Sequence, residues 1–188
     1  EALWNPVEEL KLEQNGGETK LLDWDATVKL NLLPLLAKDG HSIHSLSTQL
    51  TFADQQSDNF DYWFRPSTSR LAMKNDYKGE ASRTYSKYRQ HSLEWLGNYA
   101  MELKGHRARA MVGYSYQYFQ NSGLNAANKD FSSDGLLYNN LGSGEWAKEE
   151  GRNEMGTNKS DSKLIAFFGR LSYDYKNRYL MTASLRYE

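Results

Sequence analysis

Six stretches of this chain alternate apolar and polar residues with a period of two, the signature of strands with one greasy face. The cleanest sets Leu22, Trp24, Ala26, Val28, Leu30 and Leu32 against Asp23, Asp25, Thr27, Lys29 and Asn31. Pro34 ends it, because proline cannot donate to a ladder, and Lys38-Asp39-Gly40 supplies a turn. The chain returns through His44, Leu46, Thr48, Leu50 and Phe52. A third strand carries Leu93, Trp95, Gly97, Tyr99, Met101 and Leu103, and a fourth carries Ala108, Ala110, Val112, Tyr114, Tyr116 and Tyr118. The last two place Ile165, Phe167, Gly169, Leu171, Tyr173 and Tyr175, then Tyr179, Met181, Ala183, Leu185 and Tyr187, on one face.

Paired strands must point their apolar residues the same way, which fixes the parity of each turn. Between Leu103 and Ala108 an even loop is required, met by Gly105-His106 or by Lys104-Gly105. Either register sets Glu102 across from an arginine, Arg109 or Arg107, on the polar face. The last turn needs an odd loop, and Lys176-Asn177-Arg178 fits, with Asn177 suited to positive φ. Short connections thus fall near Asp39, Gly105 and Asn177, and long ones run from Asp54 to about Ser82 and from Gln120 to Lys163. They alternate strictly. All tight turns lie at one end and all long loops at the other, as in outer-membrane barrels with short periplasmic turns and long extracellular loops.

The apolar positions of the six strands hold no Lys, Arg, Asp or Glu. A charge there would cost about 2–4 kcal/mol at the middle of a bilayer. The polar positions hold Asp23, Asp25, Lys29, Glu94, Glu102, Arg109, Arg170 and Asp174, as a watery lumen would. Tyr114, Tyr116, Tyr118, Tyr173, Tyr175 and Tyr179 gather at strand ends like an interfacial girdle. The alternation alone fits equally a half-buried sheet whose greasy face covers a soluble core. The turn asymmetry and the tyrosine clusters favour the barrel. The expected fold is all-β: antiparallel up-and-down strands, part of a large transmembrane β-barrel.

Composition narrows the functional classes. The 188 residues include no cysteine, so disulfides and thiolate metal sites are excluded. A net charge of −1 provides no basic field for nucleic acid. No apolar run is long enough for a transmembrane helix, which says nothing of a barrel. The chain starts at Glu1 without methionine and stops at Glu188 straight after a strong strand. It is therefore expected to be an excerpt, with residues 1–188 forming part of one barrel. Such an open sheet in water is an aggregation template, so alone it is expected to self-associate or to depart from barrel geometry.

The run Phe167-Phe168-Gly169-Arg170-Leu171-Ser172-Tyr173-Asp174-Tyr175, followed by Arg178-Tyr179-Leu180-Met181-Thr182-Ala183-Ser184-Leu185-Arg186, closely resembles the SusC/RagA family. Gly113-Tyr114-Ser115-Tyr116-Gln117, Tyr138-Asn139-Asn140-Leu141-Gly142 and Asn5-Pro6 resemble it too. These are TonB-dependent outer-membrane transporters of Bacteroidetes. The resemblance implies a segment of a plugged barrel of about 22 strands, with Val7–Leu12 adding to the wall. It implies outer-membrane nutrient uptake of glycans or peptides, a SusD-like lipoprotein partner, and contact with TonB through a plug outside this chain. It implies no cofactor.

Enzyme chemistry is not expected. No nucleophile elbow, P-loop or dinucleotide fingerprint is present, and Gly142-Ser143-Gly144 reads as a flexible turn. His41 and His44 point to opposite faces, His91 and His106 are isolated with His106 in a turn, and no metal site is expected. Asp54, Asp58 and Asp61 lack the glycine and glutamate of a calcium loop and read as loop solvation. Phe60, Tyr62, Trp63 and Phe64 cluster in one outer connection, and Tyr138 and Trp146 in the other. Tyr62, Trp63, Tyr138 and Trp146 are the candidate substrate-binding residues, because aromatic rings bury area against sugars. The same rings could instead pack the loops together or meet the lipoprotein. Asp23, Asp25, Glu102, Arg109 and Arg170 are the candidate lumen residues. The competing function is a soluble β-sheet module that binds glycans.

Overall fold

The computed structural model describes residues 6–33 and 43–188. Pro34, the Lys38-Asp39-Gly40 turn, His41 and Asn5 lie outside the described residues. Six antiparallel strands follow one another in a single sheet, each beside its neighbour in sequence. They are β1 (Gln14–Asn31), β2 (Ile43–Arg65), β3 (Glu80–Leu103), β4 (His106–Lys129), β5 (Met155–Tyr175) and β6 (Tyr179–Tyr187). Helix α1 spans Pro6–Leu12 and α2 spans Arg70–Lys74. The segment expected to add to the wall is thus a helix, begun by proline at its first position, where the missing N–H costs nothing.

Both legible turns form as the parity argument requires. Lys104 and Gly105 make a two-residue loop with φ of 48° and 83°, the primed hairpin geometry, which settles the choice left open and sets Glu102 across from Arg107. Lys176-Asn177-Arg178 closes β5 onto β6, with φ of 55° at Lys176 and 57° at Asn177. The register there pairs Tyr175 with Tyr179, Ser172 with Thr182 and Phe167 with Tyr187.

The long connections are shorter than the sequence suggested. β2 runs on through Asp54, Asp58 and Asp61 to Arg65, and β3 starts at Glu80, leaving 66–79 as the connection. β4 continues to Lys129 and β5 begins at Met155, leaving 130–154. Gln55-Gln56-Ser57-Asp58-Asn59 and Thr157-Asn158-Lys159-Ser160-Asp161-Ser162-Lys163 are polar at every position. A ladder with water on both faces needs no alternation, so its pattern hides it. At 24 residues, β3 and β4 are more than twice the length that crosses a bilayer, about 9–11 residues.

The described residues form two compact units. One takes Gln56–Tyr88 and Gln120–Ser160 with the chain before Leu22, and the other takes Leu22–Gln55, Arg89–Phe119 and Asp161–Glu188. The first holds a small core in which Phe64, Ala81 and Phe131 pack with Leu137, Tyr138 and Leu141. In the second the apolar positions lie open: Trp24 is 45% exposed, Trp95 41%, Val112 53% and Phe167 56%. Only five apolar residues are buried among those described. The chain exposes 13562 Å², against about 9,200 Å² for a folded monomer of its mass. Among the described residues these strands cover no core beyond the small cluster around Phe64.

Candidate functional site

Five residues at successive strand ends form one chain of ion pairs. Glu13 directly precedes β1, Arg65 ends β2, Glu80 opens β3, Lys129 ends β4 and Glu154 directly precedes β5. Arg65 Nη2 lies 2.6 Å from Glu13 Oε1, and its Nη1 lies 3.4 Å from Glu80. Lys129 Nζ lies 3.3 Å from Glu80 and 3.4 Å from Glu154. The signs alternate across five strands. Arg65 also sits 3.7 Å from Glu9 of α1, donates to Tyr77 Oη at 3.0 Å and lies 4.6 Å over the Trp63 ring.

Burial works against both cations, yet both stay more firmly protonated than usual. Desolvation lowers the Arg65 pKa, but hydrogen bonds to Glu13 and Tyr77 outweigh it and the net shift is upward. Lys129 is likewise raised, with desolvation offset by the charges of Glu80 and Glu154. Arg65, Asn75, Asp76, Tyr77, Lys129 and Trp146 are among the residues lining a polar cavity of about 570 Å³.

The candidate aromatics separate into three groups. Tyr62 stacks on Tyr138 with centroids 3.7 Å apart, and Phe60 and Tyr85 extend that surface, their own rings 4.7 Å apart. Arg83 lies 4.9 Å over Phe60 and donates to Tyr85 Oη at 2.7 Å. Desolvation, followed by the neighbouring Tyr62, raises the Tyr138 phenol above its usual pKa. Trp63 belongs to the ion-pair side, its indole N–H donating to Glu13 at 3.4 Å. Trp146 lies in a short 3-10 turn, with Lys129 and Arg152 each 5.2 Å from its ring. Phe60, Tyr62, Trp63 and Phe64 stand in β2, not in a loop, and Phe64 belongs to the small core.

The 130–154 connection is pinned by buried polar groups. Asn128 donates to the carbonyls of Leu141 and Gly144 at 2.8 and 2.9 Å and accepts from Ala147 N at 3.0 Å. Asp134 accepts from Ser67 N and Oγ at 3.0 and 2.7 Å, tying the two connections together. Gly142-Ser143 belongs to a 3-10 turn, Leu141–Ser143. Ser69 caps α2 through Ala72 N at 3.3 Å and also donates to Glu9.

In the other unit the candidate lumen residues Asp23, Asp25, Glu102, Arg109 and Arg170 are all exposed. Arg109 and Arg170 line a shared polar depression with Ser45, Asn98 and Ser172. Arg107 pairs with Asp174 at 2.6 Å. Gly113 is covered by the Phe168 ring, so Gly113-Tyr114-Ser115 and Phe167-Phe168-Gly169-Arg170 fit into each other. The histidines are not isolated. His91 lies 2.9 Å from Asp54 and stacks on Tyr118, and His44 meets Tyr99 Oη at 2.8 Å. His106 is the first residue of β4 rather than a turn residue, 2.6 Å from Tyr173 Oη. No group of three or more potential metal ligands occurs among the described residues.

The sequence reading missed Glu13, Arg65, Glu80, Lys129 and Glu154. One signal was present: each has the parity of the polar positions in its own strand's pattern. Phe60, Tyr62, Arg83 and Tyr85 have the apolar parity instead.

Consecutive antiparallel strands, turns of alternating length and an uncovered apolar face define the wall of a transmembrane β-barrel. No family model matches the chain. TonB-dependent receptor P3 of Formosa agariphila is 28% identical over 108 residues, 57% of this chain and 10% of the relative. TonB-dependent receptor P39 of the same organism is 34% identical over 84 residues, 43% of this chain and 7% of the relative. The chain thus spans about a tenth or less of the length of these relatives. Solved structures of the RagAB peptide importer share the fold: the closed-closed state has a TM-score of 0.67 and the open-open state 0.66. Both are 16% identical and cover 94% of this chain and 18% of theirs. The chain thus has the barrel fold of these importers and is similar in sequence to TonB-dependent receptors, in line with the resemblance of its strand motifs. The relatives are named as receptors and transporters, none as an enzyme.

Proposed function

We propose that this chain forms part of the wall and outer rim of an outer-membrane importer that takes up oligosaccharides or peptides with energy delivered through TonB. The plug that contacts TonB would be supplied by sequence outside residues 1–188. A SusD-like lipoprotein would close over the mouth. The supporting observation is the exposed apolar parity at Trp24, Trp95, Val112 and Phe167, which lipid would cover and a soluble module would have to bury.

Within that reading, Asp23, Asp25, Glu102, Arg109 and Arg170 face the lumen. Tyr62 and Tyr138 present one stacked surface on the outward parity, open to the lipoprotein, and Trp63 and Trp146 flank the ion-pair chain. The soluble glycan-binding alternative has less support, because the small core around Phe64 leaves Trp24, Trp95, Val112 and Phe167 uncovered. The test is deletion of the full-length gene, followed by growth on single oligosaccharides and single peptides with fractionation of the wild-type protein. Outer-membrane recovery and loss of growth on one substrate class are expected. Recovery as a water-soluble monomer would overturn the proposal.

A further inference from the structure

In the unit that holds the ion-pair chain, two further rows cross β1 to β5 on the polar parity. Gly17 lies against Asp61, and Asn59 donates to Ser86 at 3.4 Å. Asp130 N bonds Gly79 O at 3.2 Å and Ala127 N bonds Glu154 O at 2.9 Å, which carries the register on to β4 and β5. One row is Thr19, Asn59, Ser86, Gly123, Asn158, and the next is Gly17, Asp61, Thr84, Asn125, Gly156. Amides, hydroxyls and glycines fill them, with Asp61 as the one charge. The opposite parity of the same stretch carries Glu18, Lys20, Asp58, Arg83, Lys87 and Lys159, so the neutrality belongs to one face.

The glycines are where the amides settle. Asn158 occupies the space that a side chain on Gly123 would take, and Asn125 Oδ1 stands 2.6 Å from the place of a Cβ on Gly156. The two asparagines thus reach across β4 and β5 in opposite directions. Thr84, Asn125 and Asn158 are exposed, and their side chains make no hydrogen bond among the described residues. Trp63 follows Asp61 by two residues on the same parity of β2, about 7 Å along the strand.

We infer that Asn125 and Asn158 select an uncharged oligosaccharide over an acidic one or a peptide. The inference rests on the importer reading and narrows its substrate class. An amide offers donors and an acceptor, a threonine hydroxyl offers both, and each sugar hydroxyl asks for both. The nearby Trp63 ring adds apolar area for a sugar face. An acidic sugar needs a cation, but Arg65 and Lys129 are already engaged by Glu13, Glu80 and Glu154, and Asp61 repels it. A zwitterionic peptide needs a counter-charge at each end, and the rows supply only Asp61. A charge held against such a face loses water without gaining a partner.

The test uses the full-length protein in mild detergent and fluorescently labelled hexamers. Maltohexaose, xylohexaose, mannohexaose and laminarihexaose are the neutral sugars, hexagalacturonate and hexaguluronate the acidic ones, and a mixed-sequence hexapeptide pool completes the panel. The tightest binder should be a neutral sugar. N125A/N158A should weaken it about tenfold by removing two hydrogen-bonding amides. The same variant should keep the wild-type urea midpoint, because both side chains are exposed and unpaired. S122A/T157A, on the other parity of β4 and β5, should bind like wild type. An acidic sugar or a peptide as the tightest binder overturns the inference, as does the lack of any neutral binder or unchanged binding in N125A/N158A. With the protein recovered in the outer membrane, those results leave the importer reading standing; recovery of wild type as a soluble protein is what defeats that reading.

Discussion

Replacing Gly113 by alanine probes the fit between the two strand motifs. An added Cβ there would fall well inside contact distance of Phe168 Cε2 and Cζ, and 3.0 Å from Leu96 Cδ2. The Phe168 ring would have to move off its site, and overpacking of this kind costs about 1–3 kcal/mol. Against that, alanine relieves the conformational entropy of a mid-strand glycine, worth about 0.5–1 kcal/mol. The clash wins, so G113A should destabilise by about 1–2 kcal/mol net. Removing the ring reverses the balance. In an F168A background only the flexible tip of Leu96 stays close and can turn aside, so G113A should become neutral or stabilising. The assay is a double-mutant cycle on urea midpoints of the full-length protein refolded in detergent. A coupling of about 1–3 kcal/mol is expected. G113A equally destabilising with and without the Phe168 ring would refute the interlock.

Arg65 is nearly enclosed, with 13% of its side chain exposed, and it serves Glu9, Glu13 and Glu80. R65M should cost about 3 kcal/mol by leaving Glu13 without its ion pair and Glu9 and Glu80 with one partner fewer, and R65M/E13Q should recover part of that in the same urea assay. N128A removes the side-chain donor to the Leu141 and Gly144 carbonyls and the acceptor for Ala147 N, and frees the 130–154 connection at about 2 kcal/mol locally. Limited proteolysis should then cut within 130–154 while the strands stay protected. Y62A/Y138A removes the stacked surface and should reduce uptake without lowering the amount of protein in the membrane, measured by transport of labelled substrate in cells.

The fold was legible wherever the two faces of a strand meet different surroundings. Leu22 to Leu32 and Leu164 to Tyr187 alternate because one side is apolar and the other wet, and both closing turns follow from parity alone. Gln14 to Leu21 and Met155 to Lys163 are strand as well, yet no alternation marks them, because polar residues suit both of their faces. The ion-pair chain was illegible for another reason. Glu13 and Glu154 are linked only through three strands placed between them, and no local spacing encodes that. Tyr62 and Tyr138 were recognisable as aromatics in neighbouring connections, but their stacking depends on how 130–154 folds back onto β2. His91 looked isolated because Asp54 and Tyr118 reach it only through the sheet.

Site-directed spin labels give the most direct measurement of which face lipid covers, since the chain has no native cysteine. Labels at Val28, Val112 and Phe167 would be compared with labels at Asp25, Arg109 and Arg170 in the full-length protein reconstituted into bilayers. A membrane wall predicts that the first three collide more with dissolved oxygen than with a water-soluble nickel chelate, and the second three the reverse. Nickel access at Val28, Val112 and Phe167, with oxygen-rich surroundings at Asp25, Arg109 and Arg170, would contradict it.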